Sequence, residues 1–145
     1  MNPIIESDQV EAYIPQRAPM VMIDQLLHIN ETQATTSFMI KEGNILVKEG
    51  RFSSMGLIEN MAQTAAIASG HYFISRGESV KKGFIGSVKN FIATKWPKVG
   101  EEIHTTIREV KEVMNIKIIE AEVHVQKELI ASCELKIFIL NEEGR

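Results

Sequence analysis

The sequence predicts an α+β fold in which one long buried helix packs against an antiparallel sheet. Between residues 54 and 75, apolar residues recur at helical spacing and Glu59 is the only charged side chain, which is typical of a helix buried on most sides. From residue 84 onward, short segments of alternating apolar and polar residues follow one another across tight turns, as antiparallel strands do. A sheet packed on a helix buries both apolar surfaces.

The helix is predicted over residues 54–75, with Ser53 or Ser54 as its N-cap. Because apolar residues surround most of its circumference, it needs cover on several sides, and a sheet that curls around it would give that cover. This arrangement is the hotdog fold: a long central helix wrapped by a curved antiparallel sheet, here of five or six strands. No linker, repeat or low-complexity tract interrupts the chain, so residues 1–145 are expected to form a single hotdog domain.

The predicted strands alternate apolar and polar residues and are separated by short turns, which favours antiparallel pairing. They cover residues 20–29, interrupted at Asp24, and residues 33–41, 84–96, 103–107, 116–125 and 131–139. Residues 1–13 indicate a short helix or an arm, and residues 42–53 indicate a loop. Such a sheet keeps an open edge, which pairing of edge strands in a homodimer would cover.

Composition and charge exclude several classes of function. The formal net charge of -3 gives no reason to expect nucleic acid or an anionic membrane as a partner. Cys133 is the only cysteine, which excludes an internal disulfide, and the 4 histidines are too scattered for a metal site. Neither a signal peptide nor an apolar run of about 18 residues is visible, so a cytoplasmic protein is expected.

One local feature differs from this weak overall charge. A group of lysines lies close together in the sequence and could form a basic patch suited to an acidic protein partner. Its members are Lys81, Lys82, Lys89, Lys95 and Lys98. The alternative interpretation is an ordinary solvated surface, and the sequence leaves both open.

Glu59 is the residue of the helix that most needs an explanation, because it lies more than one turn inside an apolar segment. Burying an unpaired carboxylate is costly, so the group should be paired, neutral or beside a cavity. Gln63 shares its face of the helix, and Asn60 and Thr64 lie close to the same stripe. This polar seam either points to solvent or satisfies loop backbone, or it places Glu59 in a partly apolar pocket suited to acid–base catalysis. His71, about 18 Å along the helix, is expected at the surface.

Four motifs occur in the order found in bacterial 3-hydroxyacyl-acyl-carrier-protein dehydratases, which the sequence resembles. Residues 14–24, IPQRAPMVMID, are similar to the family's opening L-P-H-R-x-P-x-x-x-I-D, and residues 56–66, GLIENMAQTAA, resemble its helix motif G-V-L-x-x-E-A-M-A-Q. Residues 83–91, GFIGSVKNF, stand where the family has an A-G-I-x-x-x-x-F strand, and residues 99–101, VGE, resemble its P-G-D turn. The shortened loop before the helix is similar to that of the branch found with aryl-polyene-type pigment synthesis.

The resemblance implies a hydro-lyase of fatty acid or polyene-type synthesis that removes water from a 3-hydroxyacyl thioester. In the family, a histidine of one chain and an acid on the partner's helix form the site between two subunits, and Glu59 has the acid's position. The chain would then form a homodimer or a higher oligomer of dimers. The substrate would be carried on the phosphopantetheine of acyl carrier protein or coenzyme A, with no bound cofactor or metal. A backbone amide near Ser54 and Gly56 would polarise the thioester, and Gly86 is expected to contact substrate.

The sequence departs from the family at two positions. The loop of residues 44–54 lacks the catalytic histidine, and Gln16 replaces the histidine of the opening motif; an amide cannot take up a proton at neutral pH as imidazole does. Three functions therefore remain open. The chain is a dehydratase in which Glu59 is the acid and Gln16, Asn44 or Gln63 orients substrate, or a hotdog thioesterase in which Glu59 activates water or attacks the thioester and Asn44 places it. The third possibility is a non-catalytic subunit of a hotdog heterodimer.

Overall fold

A computed structural model describes residues 2–140 of the chain. A 22-residue helix, α1 (Ser54–Ser75), packs against an antiparallel sheet of six strands, and a short 3₁₀ helix (Ser7–Ala12) precedes them. In chain order the strands are β1 (Gln25–Ile29), β2 (Gln33–Met39), β3 (Val47–Lys48), β4 (Arg51–Phe52), β5 (Gly83–Ala93), β6 (Glu102–Val113), β7 (Ile116–Val125) and β8 (Glu128–Ile139). The large sheet has the order β1-β2-β6-β7-β8-β5, while β3 and β4 form a separate hairpin.

The predicted helix is confirmed from its first residue to its last. Its N-cap is Ser53, whose hydroxyl accepts a hydrogen bond from the Gly56 amide at 3.2 Å. The Ser54 hydroxyl instead accepts a hydrogen bond from the Trp96 indole N–H at 2.9 Å. At the other end the chain leaves the helix at Arg76, and Gly77 follows with a positive φ of 76°.

Two predicted elements differ from the structure. The strand predicted over residues 20–29 begins only at Gln25, because the backbone of Met22 hydrogen-bonds to side chains of α1 and not to a strand. The loop predicted over residues 42–53 contains the β3–β4 hairpin, whose Phe52 amide donates to the Pro97 carbonyl at 2.7 Å. The bonds of Met22 with Gln63 and Asn60, and the bond of Phe52 with Pro97, join residues that are far apart in the sequence. Such bonds leave no local pattern in a sequence.

The core lies between α1 and the strands β2, β6 and β7. Leu57, Met61 and Ile67 of the helix are fully buried, as are Ile103 and Leu135 of the sheet. Burying side chains of this size contributes about 1.5–3 kcal/mol each, so this contact is the main source of stability. The helix therefore has a fixed position over the sheet, and its polar side chains are held with it.

The two edges of the large sheet differ. At one edge, Leu26 of β1 exchanges hydrogen bonds with Ile5 and also accepts one from the Ile4 amide, so this edge is partly covered. At the other edge, β5 pairs only with β8 within residues 2–140. Most β5 side chains are exposed. The same region contains no helix that is long and apolar enough to cross a membrane.

Gly70 brings the helix into contact with the segment that follows the 3₁₀ helix. A Cβ atom at this position would lie 1.9 Å from the carbonyl oxygen of Tyr13, which is backbone and cannot rotate away. The next residue, Ile14, is 2 % exposed and belongs to the core. Gly70 therefore determines how closely the segment that begins Tyr13-Ile14 approaches α1.

We expect the substitution Gly70→Ala to lower the free energy of unfolding by about 2 kcal/mol or more, because the added methyl group forces two backbone segments apart. Urea unfolding monitored by circular dichroism measures this change. The control Ser69→Ala alters the neighbouring helical residue without such a clash and should change stability by less than about 0.5 kcal/mol. Equal stability of wild type and Gly70→Ala would contradict the close approach.

Candidate active site

Glu59 lies half-buried on α1 and faces a cleft of about 240 Å³ between the helix and the end of the sheet. Small and apolar side chains line most of this cleft, and its charged members are Glu59, Lys81 and Lys117. The full set of lining residues is Pro15, Gln16, Glu59, Ala62, Ala65, Ala66, Ser69, Lys81, Gly83, Phe84, Ile85, Lys117, Ile119, Ile137 and Ile139. No histidine is among them.

Gln63 holds the Glu59 carboxylate in place. Its Nε2 group donates to Oε2 of Glu59 at 2.8 Å and to the carbonyl of Met20 at 2.6 Å, while its Oε1 accepts from the Met22 amide at 2.7 Å. A glutamine amide has two N–H donors, and both are used here. Gln63 therefore has no donor left for a substrate, and Oε1 of Glu59 is the carboxylate oxygen without a partner among these contacts.

Asn60 completes the attachment of the preceding segment to the helix. Its Nδ2 donates to the Met22 carbonyl at 2.8 Å, and its Oδ1 accepts from the Thr105 hydroxyl of β6 at 2.5 Å. Asn60 and Gln63 are fully buried, so these bonds form away from water and are costly to break. Of the two interpretations of the polar seam, satisfaction of loop backbone therefore holds for Asn60 and Gln63, whereas Glu59 itself faces the cleft.

Gln16 lies in the same cleft and carries the one buried side-chain polar atom without a hydrogen-bond partner within residues 2–140, Oε1. An unsatisfied buried acceptor costs about 1–3 kcal/mol, so a donor that fills the cleft would be bound favourably. The Arg17 guanidinium donates to the carbonyls of Ile14 and Gln16 at 2.9 and 2.8 Å, which fixes the turn that carries this side chain.

The other predicted site residues do not line the Glu59 cleft. Asn44 uses its Oδ1 to accept the Leu46 amide at 2.8 Å, and its Nδ2 points at the sulfur of Met22 at 3.4 Å. This is the bonding of a turn residue. Asn44 forms no hydrogen bond with Glu59, and a catalytic role for Asn44 stays a prediction.

Two of the predicted substrate-binding glycines have packing roles. A Cβ on Gly56 would lie 2.5 Å from the Phe52 ring, and the Gly56 amide is already bonded to the cap Ser53. A Cβ on Gly86 would lie 2.0 Å from the Phe138 ring, at a point where the β5–β8 register shifts. Substrate contacts at Ser54, Gly56 and Gly86 stay predictions. The structure brings Gln16, Gln63 and Glu59 together. Ser54, Gly56 and Gly86 do not line the Glu59 cleft.

Sequence reasoning did not include Lys117 among the cleft residues. It lies on β7, where it forms an ion pair with Glu109 at 3.6 Å, and only the pairing of distant strands brings it to the helix. His71 lies in a second cleft of about 990 Å³ near the end of α1, with its ring 6.4 Å from that of Tyr13. It does not line the Glu59 cleft, as expected from its helical separation.

Residues 2–140 contain neither a cluster of metal ligands nor a thiol with a lowered pKa. No group of three or more histidine, cysteine, aspartate or glutamate residues within residues 2–140 is placed to hold a metal ion. Burial and the neighbouring Glu134 raise the pKa of the Cys133 thiol to about 11. Cys133 is therefore a neutral thiol at neutral pH, packed 3.7 Å from the Met61 sulfur.

The ApeP-like family, described as ApeP dehydratase, matches residues 8–143. The chain belongs to the ApeP-like family. A chain of the dehydratase heterocomplex ApeI:P from Xenorhabdus doucetiae superposes with a TM-score of 0.84 at 18% identity, over 98% of this chain and 93% of that one. No curated protein matches the sequence.

Two further solved structures share the fold of this ApeP-like protein. An uncharacterized protein from Pyrococcus horikoshii has a TM-score of 0.69 at 16% identity, with 98% of this chain and 97% of that chain covered. A hypothetical thioesterase protein with coenzyme A from Streptococcus pneumoniae has a TM-score of 0.63 at 11% identity, with 80% and 84% covered. The predicted hotdog fold and the resemblance to dehydratases are thereby confirmed.

In this member of the ApeP-like family, the acid position of the helix motif is Glu59, and the motif's glutamine is Gln63. The hydrogen bond between them gives the glutamine a physical role, because it orients the carboxylate and holds Met20 and Met22 beside it. The proline-rich opening motif supplies the opposite wall of the cleft through Gln16. The two motifs therefore meet at one cleft.

We expect the substitution Gln63→Leu to lower the free energy of unfolding by about 2–5 kcal/mol, because the Met22 amide and the Met20 carbonyl lose their partner in a buried place. Urea unfolding measures the loss. The control Gln25→Leu removes an amide of the same size whose bonds, to Glu6 and Ser37, are long and lie away from the cleft, and it should cost less than about 1 kcal/mol. An equal loss in both variants would show that the Gln63 network is not special.

Proposed function

We propose that this chain supplies the acid of a 3-hydroxyacyl-thioester dehydratase site whose histidine comes from a second hotdog subunit. The observation that carries the proposal is the position of the Glu59 cleft. No histidine of residues 2–140 lines it, and one of its walls is formed by Gly83, Phe84 and Ile85 at the start of β5, the uncovered edge strand. A subunit seated on this edge would complete the wall and could contribute the missing base.

The reaction assigns one proton transfer to each subunit. The partner's histidine removes a proton from C2 of the acyl group, and the Glu59 carboxylic acid donates a proton to the 3-hydroxyl, which leaves as water while the C2–C3 double bond forms. The histidine then returns its proton to the Glu59 carboxylate through solvent, which restores both groups. Because Oε2 of Glu59 is held by Gln63, Oε1 is the oxygen that would face the leaving hydroxyl.

The substrate is proposed to arrive on phosphopantetheine, either on acyl carrier protein or as a coenzyme A thioester. The cleft is lined by alanines of α1 and isoleucines of the sheet, which suit an acyl chain, and Lys81 and Lys117 add positive charge beside it. A solved hotdog relative, the hypothetical thioesterase protein from Streptococcus pneumoniae, contains coenzyme A. A cytoplasmic location is part of the same proposal.

Thioester hydrolysis is the competing function, since hotdog thioesterases are among the structural relatives. It would need a group that helps Glu59 to place water or the thioester. Asn44, the residue expected in this role, is engaged in its own turn and does not line the cleft. The geometry therefore favours dehydration, and hydrolysis is an outcome that the same assay detects.

We expect the complex purified from the native host to convert 3-hydroxyacyl thioesters to enoyl thioesters, and Glu59→Gln to reduce kcat at least about 100-fold, because the amide cannot donate the proton. The assay follows enoyl absorbance for the hydroxyacyl substrate and free thiol for a saturated acyl thioester. Glu122→Gln, an exposed acid on β7, is the matched control and should keep full activity.

Three results would overturn the proposal. Full activity of the isolated chain without any histidine-bearing hotdog partner would remove the need for a second subunit. Release of thiol from the saturated substrate would favour hydrolysis. Unchanged activity of Glu59→Gln would exclude this carboxylate from the chemistry.

Gln16 is proposed to orient the substrate by accepting a hydrogen bond from it at the buried Oε1. We expect Gln16→Leu in the same complex to lower kcat/KM about tenfold, because one buried hydrogen bond to substrate is lost. The free energy of unfolding should stay equal or rise, since an unsatisfied oxygen is replaced by an apolar group of similar size. A loss of stability without a change in kcat/KM would instead show that Gln16 serves the fold; Gln25→Leu is again the control.

A further inference from the structure

The two clefts of the molecule share a boundary on the inner face of the sheet. The Glu59 cleft has a volume of about 240 Å³, and the larger cleft, which contains His71, has a volume of about 990 Å³. Several residues line both clefts, so the two spaces adjoin. We call this shared set the junction; its members are Ala65, Ser69, Lys81, Lys117, Ile119 and Ile139.

The two lysines of the junction have their charged ends on the side of the larger cleft. Nζ of Lys117 forms an ion pair with Glu109 at 3.6 Å, and Nζ of Lys81 lies 4.9 Å from the centre of the Phe73 ring. Glu109 and Phe73 line the larger cleft but not the Glu59 cleft. A lysine held in this way presents its methylene stem to its other neighbours. On the side of Glu59, the junction is therefore mostly apolar.

Ala65 and Ser69 form the helix side of the junction, opposite isoleucines of the sheet. They follow Glu59 by six and ten positions in the sequence. By the rise of an α-helix, these positions lie about 9 and about 15 Å from Glu59 along the axis. Alanine ends at Cβ, so the helix projects little into the junction at residue 65. A longer side chain there would extend into the space where the two clefts meet, because Ala65 lines both.

The larger cleft offers apolar surface beyond the junction. Ile29, Ile107 and Met114 line it, and Ile107 is only 4% exposed. An apolar chain that passed the junction would therefore find side chains to pack against. Each methylene group that is buried in this way strengthens binding about threefold. The adjoining clefts thus suit a ligand that is longer than the Glu59 cleft alone can hold.

We propose that Ala65 determines the length of the acyl group that the Glu59 site accepts, by keeping the junction open. The preferred substrate is then a 3-hydroxyacyl thioester with a long apolar chain, whose C3 lies at Glu59 and whose far end lies in the larger cleft. The inference rests on the proposed function, because it concerns the same site. It adds a specificity-determining residue and assigns a use to the larger cleft.

Substrate length and the substitution Ala65→Leu test the proposal together. The complex purified from the native host is assayed with 3-hydroxybutyryl and 3-hydroxyhexadecanoyl thioesters. We expect Ala65→Leu to lower the ratio of long-chain to short-chain kcat/KM about tenfold or more, because the leucine closes the junction to the far methylene groups. The matched control is Ala66→Leu, whose residue lines the Glu59 cleft but not the larger cleft. It should lower kcat/KM for both substrates and leave their ratio within about twofold of wild type.

A binding series separates this proposal from the dehydration chemistry. Acyl-pantetheine analogues with an amide in place of the thioester are neither dehydrated nor hydrolysed, and their affinity for the complex is measured by calorimetry. In wild type, affinity should keep rising with chain length, whereas in Ala65→Leu it should stop rising at a shorter chain. Length-dependent binding without enoyl product would contradict only the proposed dehydration.

Two results would overturn the role of Ala65. One is an unchanged ratio of kcat/KM together with the same binding series in Ala65→Leu and wild type. The other is a wild-type affinity that does not rise beyond the shortest chains. Because Ala65 is only 6% exposed, unfolding of each variant in urea is measured first. If Ala65→Leu does not fold, Ser69→Leu fills the junction from a half-buried position and should shorten the binding series in the same way.

Discussion

The hydrogen bonds of Gln63 with the backbone of Met20 and Met22 are the constraint on which the candidate site depends. A chain segment without a strand partner must satisfy its backbone groups in another way when it is buried. Here the helix provides the partners, with Asn60 taking the Met22 carbonyl. The segment is thereby held along α1, and the turn that precedes it places Gln16 across the cleft from Glu59.

The same constraint explains why a carboxylate is tolerated in an apolar helix. Glu59 needs a donor, and Gln63 offers the N–H that the backbone of Met20 does not use. Gln63 thus serves both the fold and the candidate site, because its removal would free the segment around Met20 and Met22 as well as the Glu59 carboxylate. Gly70 acts at the other end of that segment, because its missing side chain lets Tyr13 approach the helix. Gln63 therefore fixes the position of this segment along α1, and Gly70 fixes its distance from the helix.

The parts of the fold that could be predicted from the sequence are those with local causes. The helix from Ser54 to Ser75 follows from apolar spacing and a serine cap, and the antiparallel strands follow from alternation and short turns. The absence of a strand over residues 20–24 could not be predicted, because Met22 and its partner Gln63 are separated by 41 positions. The position of Lys117 in the cleft could not be predicted either, because only the pairing of distant strands brings this residue to the helix.

Motif resemblance singled out Glu59 as the expected acid but gave less information about its neighbours. Glycines in such motifs suggest close approach of a ligand, and in the structure Gly56 and Gly86 also leave room for the rings of Phe52 and Phe138. An asparagine before the helix suggests catalysis, and in the structure Asn44 also accepts a hydrogen bond within its own turn. In each case one residue type can serve two purposes, and the motif alone does not specify the contacts that it makes in the folded chain.

The proposed catalysis and the proposed assembly both involve strand β5. The start of β5 forms a wall of the Glu59 cleft, and the free side of β5 is where another subunit would pair, so a subunit that completes the sheet also closes the site. A second copy of this chain would bring another Glu59, but residues 44–54 of that copy contain no histidine to act as base. Under the proposed mechanism a self-paired dimer would thus hold two acids and lack the group that removes the C2 proton.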